Sequence, residues 1–322
     1  MKAIISEQYG TPDTFALREV VAPVPKEDQV LVRVHASSVN FGNLVLLRGK
    51  PFPVRFVFGL TKPKYNIPGG DIAGIVEAIG ENVTRFQVGD EVYGDLSSSG
   101  WGAFAEYVAT DEKALAPKPG NLSFTEAAAV PMAGITALQA IRDKGMVKDG
   151  QKVLIHGASG GVGTFAVQIA KAFGAEVTAV VSTRNVDIVK SLGADHVIDY
   201  KKEDFGSLDR TYDVIFGVNG SQSISTYKRK LKENGRFIHV GGSESQMYQT
   251  MLGPLLSVFG KKKFITFLQR ANQQDLLVMK ELIEEGKVKP VIDRTYSLSE
   301  IPQAFHYFQE GHSQGKVMIT IH

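Results

Sequence analysis

The densest group of chemistry-bearing positions in this 322-residue chain is a turn of small residues, Gly157-Ala158-Ser159-Gly160-Gly161-Val162-Gly163. It follows an apolar run, KVLIHG, and precedes an amphipathic one, VGTFAVQIAKAFG. A strand–turn–helix of this kind offers backbone N–H groups and the positive end of the helix dipole to an anion. Glycine lets a phosphate approach where a Cβ would intrude. The spacing is that of a dinucleotide fingerprint, with Ala158 at the first glycine position and Gly157 just before it. The following run, AEVTAVV, leads into Ser182-Thr183-Arg184-Asn185. Where an NAD site puts a carboxylate on the ribose 2′-OH, this chain has two hydroxyls and a guanidinium, groups suited to a 2′-phosphate. The pattern predicts NADPH as cofactor. The other reading is that Ser182, Thr183 or Asn185 caps the next helix while Arg184 lies in solvent.

The elements around the turn alternate. KVLIHG, AEVTAVV, HVIDY, YDVIFGV and RFIHVGG read as strands, separated by helical stretches VGTFAVQIAKAFG, VDIVKSLG and ISTYKRKLKENG. That order is the signature of a parallel sheet with crossover helices. The first third is different. In QVLVRVHAS, Val30, Val32 and Val34 fall on one face and Leu31, Arg33 and His35 on the other, a half-buried strand. DIAGIVEAIG, DEVYGDL and AFAEYVATD continue in short strands between glycine and charged turns, which predicts a small barrel-like β domain. A capping box, Ser123 with Glu126, marks the change of pattern near Asn121.

Composition bounds the function. A formal net charge of +2 gives no electrostatic case for nucleic acid or an anionic membrane. The chain has no cysteine, which removes disulfides, thiol catalysis and thiolate metal sites, and suits a reducing compartment. No apolar run reaches the length of a membrane span, and the N-terminus does not read as a signal peptide, so the expected location is cytoplasmic.

Taken together, AAAVPMAGITALQAI, the stretch from VLIHGASGGVG to HVIDY, SSVNFGN, PGGDIAGIVEAIGENVTRFQVGDEVYG, GWGAFAEYV and HSQGKVMITI resemble one family. It is the zinc-independent, quinone-oxidoreductase (zeta-crystallin-like) branch of the medium-chain dehydrogenase/reductase superfamily, and the resemblance covers nearly the whole chain. It implies an α/β fold: a GroES-like, partly open β-barrel catalytic domain (residues 1–122, completed by 290–322), and a Rossmann doubly wound parallel-sheet domain (residues 123–289) inserted in it. It also implies site residues. Thr136 and Asn40 should lie near the nicotinamide and substrate, and Ser159, Gly160, Gly161, Val162 and Gly163 should hold the pyrophosphate. Ser182, Thr183, Arg184 and Tyr200 should surround the 2′-phosphate. Asn219, Gly241 and Gly242 should close cofactor-facing strands, and Lys316 should reach towards the cofactor. Tyr200 also reads as a packed strand-end tyrosine, and Lys316 as a solvated surface lysine.

The activity implied is NADPH-dependent reduction of quinones or α,β-unsaturated carbonyls by hydride transfer without metal, in a chain whose relatives often pair as homodimers. Where zinc-dependent relatives read Gly-His-Glu, this chain reads Gly69-Gly70-Asp71, and its seven histidines form no ligand pair. Where relatives often read V-N-P-x-D, it reads Val39-Asn40-Phe41-Gly42-Asn43, an amide in place of a carboxylate. Asn40 is the best candidate catalytic residue, as a neutral donor to the acceptor oxygen; its other reading is a turn residue bonded to its own backbone. The proton donor is unassigned. Two other functions share these motifs: an enoyl-thioester reductase, and an NADPH-binding regulatory or RNA-binding protein without turnover.

Overall fold

The computed structural model describes residues 1–218, 222–241 and 260–322. Asn219 and Gly242, both expected at the cofactor, lie outside the described residues. The chain divides into two compact units: residues 1–135, 270–285 and 290–322, and residues 136–269 with 286–289.

Unit 1 is the GroES-like unit. Its strands are β1 (Lys2–Ile5), β2 (Ala16–Glu19), β3 (Gln29–Val39), β4 (Asp71–Ile79), β5 (Glu91–Asp95), β6 (Tyr107–Asp111), β7 (Leu115–Pro117), β14 (Ile292–Ser297) and β15 (Lys316–Thr320). The main sheet runs β14-β15-β3-β4-β5-β7, with β6 also on β3. The alternation read in QVLVRVHAS is what β3 shows: Val30, Val32 and Val34 are fully buried, and the residues between them are half exposed. Helix α1 (Phe41–Arg48) follows β3 directly, and α2 (Arg55–Phe58) follows soon after.

Helices α3 (Phe124–Ala128) and α4 (Pro131–Leu138) come next along the chain. The Ser123–Glu126 capping box forms as expected and starts α3. Unit 1 continues past residue 122 to residue 135 and takes in residues 270–285, while its last segment begins at Pro290. Phe124 stacks on His35 of β3 (ring centroids 4.3 Å apart), which keeps α3 with the barrel. Residues 270–285 join it too, because the Tyr93 hydroxyl donates to the Leu276 carbonyl at 2.5 Å.

Unit 2 is the Rossmann unit. It carries β8 (Lys152–His156), α5 (Gly161–Ala172), β9 (Glu176–Val181), α6 (Val186–Ser191), β10 (His196–Asp199), β11 (Tyr212–Val218), α7 (Ile224–Lys230), β12 (Leu231–Val240) and β13 (Lys263–Thr266). The sheet order is β10-β9-β8-β11-β12-β13 and every pair is parallel. This is the doubly wound order, with its switch point between β8 and β11, where such sheets bind ligands. Helix α7 stops earlier than ISTYKRKLKENG suggests. Leu231 pairs with Tyr212 of β11, so the sheet takes the chain before the helical pattern ends. In unit 1 the last two helices are α8 (Gln273–Glu284) and α9 (Ile301–Gln309). Among the described residues no helix is long and apolar enough to cross a membrane.

Candidate functional site

In unit 2 the small-residue turn follows β8 at the switch point of the sheet. Gly157 adopts φ +84°, and a Cβ there would sit 2.0 Å from the Val218 carbonyl oxygen. Gly163 lies so close beneath the turn that a Cβ would meet the Gly157 carbonyl at 2.1 Å. These two glycines are demanded by packing. Gly160 is not: the nearest atom to an added Cβ is 3.8 Å away, so its side faces open space. Gly160 is the N-cap of α5 and no side chain caps that helix, which leaves the N–H groups of Gly161, Val162 and Gly163 to an external acceptor. An open side over an uncapped twelve-residue helix fits a pyrophosphate.

The loop after β9 is not a helix cap, since neither Ser182 nor Asn185 makes a side-chain capping bond. Asn185 is buried and its amide donates to Ser159 Oγ at 2.8 Å and to Ser182 Oγ at 3.3 Å, tying the loop to the glycine turn. Arg184 is exposed. Tyr200 is 51% exposed, so its ring is not packed away, while its N–H donates to the Val181 carbonyl at the end of β9. The sequence missed one group. Asp199, opposite Val181 in the β10–β9 register, takes a hydrogen bond from the Thr183 hydroxyl, which leads the effects holding its carboxyl below the usual range. A carboxylate does touch this loop, supplied by the neighbouring strand. Thr136 is buried in α4, and Gly241 adopts φ +71° at the end of β12.

Beneath the glycine turn, His156 ends β8. Its Nδ1 pairs with the Tyr227 hydroxyl at 2.8 Å, and burial pushes its pKa down to about 4.

Unit 1 builds its polar site from side chains brought together by register. Ser38 on β3 lies directly opposite Asp71 on β4, and Val39 lies opposite Val317 on β15. Asn40 and Lys316, the residues just beyond that pair, therefore meet at one end of three adjacent strands. The Asp71 carboxylate accepts from Ser38 Oγ at 2.5 Å, from Asn40 Nδ2 at 2.8 Å and from the Met132 N–H at 2.9 Å. Lys316 Nζ donates to Asn40 Oδ1 at 2.5 Å and lies 3.3 Å from Asp71 Oδ2. Ser38 and Asp71 are fully buried, Lys316 is 3% exposed and Asn40 is 7% exposed. Burial lowers the pKa of the Lys316 ammonium, against the pull of Asp71 and then Asp95, which favour its charge.

One alternative reading falls here and one expectation changes. Lys316 is buried, so it is not the solvated surface lysine of its other reading. Asn40 keeps neither end of its amide free: Nδ2 also donates to Ser38 Oγ at 3.2 Å, and Oδ1 holds the ammonium. Asn43, the amide in place of a carboxylate, accepts the Asn40 N–H at 2.8 Å as an aspartate could, but its own Nδ2 is buried without a partner. Over this end of the sheet lies Trp101, with φ +63°, its ring so near Gly42 and Gly70 that a Cβ would meet it at 3.4 Å and 3.1 Å. Asp71, Ser38 and Trp101 escaped the sequence reading. Among the described residues no three His, Asp or Glu side chains are grouped as metal ligands.

Comparison with known proteins agrees with this architecture. The profile of an alcohol dehydrogenase GroES-like domain matches residues 26–120, and that of a zinc-binding dehydrogenase matches residues 192–319. The chain is 35% identical to the chloroplast envelope quinone oxidoreductase homolog of Arabidopsis thaliana, over 94% of this chain and 92% of that one. It is 34% identical to an NADPH-dependent alkenal/one oxidoreductase of the same plant, over 99% of this chain and 79% of the relative. Among solved structures, the quinone oxidoreductase from Coxiella burnetii superposes with a TM-score of 0.89 at 30% identity, covering 100% and 99% of the two chains.

Proposed function

Because the chain belongs to the medium-chain dehydrogenase/reductase superfamily, in its quinone-oxidoreductase branch, we propose that it reduces quinones or α,β-unsaturated carbonyls with NADPH and without a metal. The observation that carries the reading is the uncapped start of α5 beside the open side of Gly160, a seat for the pyrophosphate. In this account Ser159, Gly160, Gly161, Val162 and Gly163 bind that group. Ser182, Arg184 and Tyr200 bind the 2′-phosphate, and Thr136 and Gly241 line the rest of the cofactor. Asp199 repels the 2′-phosphate, so the preference for NADPH over NADH is smaller than Arg184 alone would give. The bound nicotinamide supplies the hydride.

Reduction also puts negative charge on the acceptor oxygen, and unit 1 supplies the answer to it. An ammonium has three N–H donors, and Lys316 spends two on Asn40 and Asp71. The third has no partner among the described residues. In this reading it donates to the acceptor oxygen and can pass on its proton, while Asn40, Asp71 and Ser38 hold the ammonium in place. Asn40 is thus a positioning residue. A conjugated carbonyl is already polarised, so a fixed ammonium in a dry site serves where other enzymes use a Lewis acid. Every hydrogen-bonding oxygen of Asp71 is already engaged by this chain's own donors.

An acceptor screen tests the proposal. NADPH oxidation is followed with simple quinones, enones and enoyl thioesters, with NADH in parallel and with a chelator present throughout. Turnover of quinones or enones that survives the chelator is expected. Preference for thioesters would move the chain to enoyl reduction, and no turnover with any acceptor would leave a cofactor-binding protein.

A further inference from the structure

The net charge of +2 hides an uneven distribution. Between Asp28 and Asp71 the chain carries six Lys and Arg residues and not one Asp or Glu. Five of the six, Arg48, Lys50, Arg55, Lys62 and Lys64, fall in the segment that leaves α1 and passes through α2. Only Arg33 has a carboxylate, Glu77; among the described residues no ion pair involves the other five. Arg48, Lys50, Lys62 and Lys64 are exposed, and Arg55 stacks over the Tyr9 ring at 4.5 Å.

The same segment holds an unusual amount of exposed apolar surface. Phe58 turns inward onto Trp101, and its neighbours turn out: Phe52 is 58% exposed, Phe56 73%, Val57 66% and Leu60 56%. The Phe52 and Phe56 rings meet edge to face at 5.7 Å, so they form one patch rather than scattered residues. Large apolar side chains grouped in water mark an interaction surface. Flanked by basic side chains in a segment that carries no acidic ones, this patch has the two signals that stable adsorption to an anionic bilayer requires, apolar insertion and attraction to lipid phosphates.

We propose that residues 48–64 dock the protein onto an anionic lipid surface, with Phe52, Phe56, Val57 and Leu60 entering the headgroup–acyl boundary and Arg48, Lys50, Lys62 and Lys64 lying on the lipid phosphates. The proposal stands independently of the acceptor, although a lipid-soluble quinone would be met at that surface.

Vesicle co-sedimentation tests it, with the full chain and vesicles of phosphatidylcholine alone or mixed with phosphatidylglycerol. The wild-type chain should sediment with the mixed vesicles, not with the neutral ones, and should be released by high salt. Replacing Lys62→Gln and Lys64→Gln should weaken binding about fivefold per lysine. Phe56→Ser with Val57→Ser should weaken it at low salt, where the basic side chains alone still attract the lipid phosphates. All these side chains are exposed, so both variants should keep the wild-type melting temperature and NADPH affinity, which separates lost docking from lost folding. Absence of binding to anionic vesicles, equal binding to neutral ones, or binding unchanged in both variants would overturn the proposal. So would wild-type self-association that the Phe56 and Val57 changes abolish without any vesicle binding, which would assign the patch to a second copy of the chain.

Discussion

The two units build their polar sites from opposite materials. Unit 2 uses backbone: a glycine turn, an uncapped helix and one open side at Gly160. Unit 1 uses side chains, Ser38, Asn40, Asp71 and Lys316, locked in a buried network by strand register. A backbone site can lose its ligand contact without losing the fold. A buried charged network cannot, because its members satisfy one another.

The largest expected effect breaks the network from the acidic side. Asp71→Asn leaves a buried ammonium without a carboxylate and should destabilise the protein by about 3–5 kcal/mol in denaturant melts. Lys316→Gln should cost less, because Asp71 keeps three donors from Ser38, Asn40 and Met132. Equal costs would mean that the pair is not organised around the carboxylate.

The next effect belongs to unit 2 and depends on pH. His156 has a folded pKa of about 4, against about 6.5 when unfolded, so the unfolded chain binds more protons between those values. Its contribution is complete above about pH 6.5 and is lost as pH falls towards 4, by up to about 3 kcal/mol. Melts across that range, compared with His156→Asn, should show the loss shrinking in the variant.

Smaller effects test the backbone site. Gly160→Ala should change stability by less than about 0.5 kcal/mol, since the added methyl clashes with nothing, yet weaken NADPH binding about tenfold or more. A titration in which binding is unchanged would remove the pyrophosphate from this turn. Arg184→Ala should cost roughly tenfold in NADPH affinity and little in NADH affinity, while Asp199→Asn should move the preference slightly the other way, towards NADPH.

How well each site could be read in the sequence follows from the same contrast. The turn from Gly157 to Gly163 is contiguous and its strand and helix flanks are local, so spacing alone located it, although the clash that demands glycine at 157 comes from Val218 of β11. The alternation of strands and helices was legible because buried parallel strands are nearly continuous apolar runs. The network was not legible, because Ser38, Asp71 and Lys316 are distant in the chain and meet only through the pairing of β3 with β4 and β15. A lone lysine in GK carries no sign of burial. Asp199 was missed for a related reason: the carboxylate comes from the strand beside β9, where a linear motif does not look. Net charge concealed the basic, acid-free segment because it sums over both units.

The central claim is that unit 2 holds the cofactor while Lys316 serves the acceptor. Single-turnover oxidation of NADPH by a quinone, measured for the wild-type chain and for Lys316→Gln at a temperature where both are folded, tests it most directly. The account predicts unchanged NADPH affinity and an oxidation rate lower by about 10²–10³, with Lys316→Arg recovering part of the rate. An unchanged rate in Lys316→Gln, or a loss that lies wholly in NADPH affinity, would contradict it.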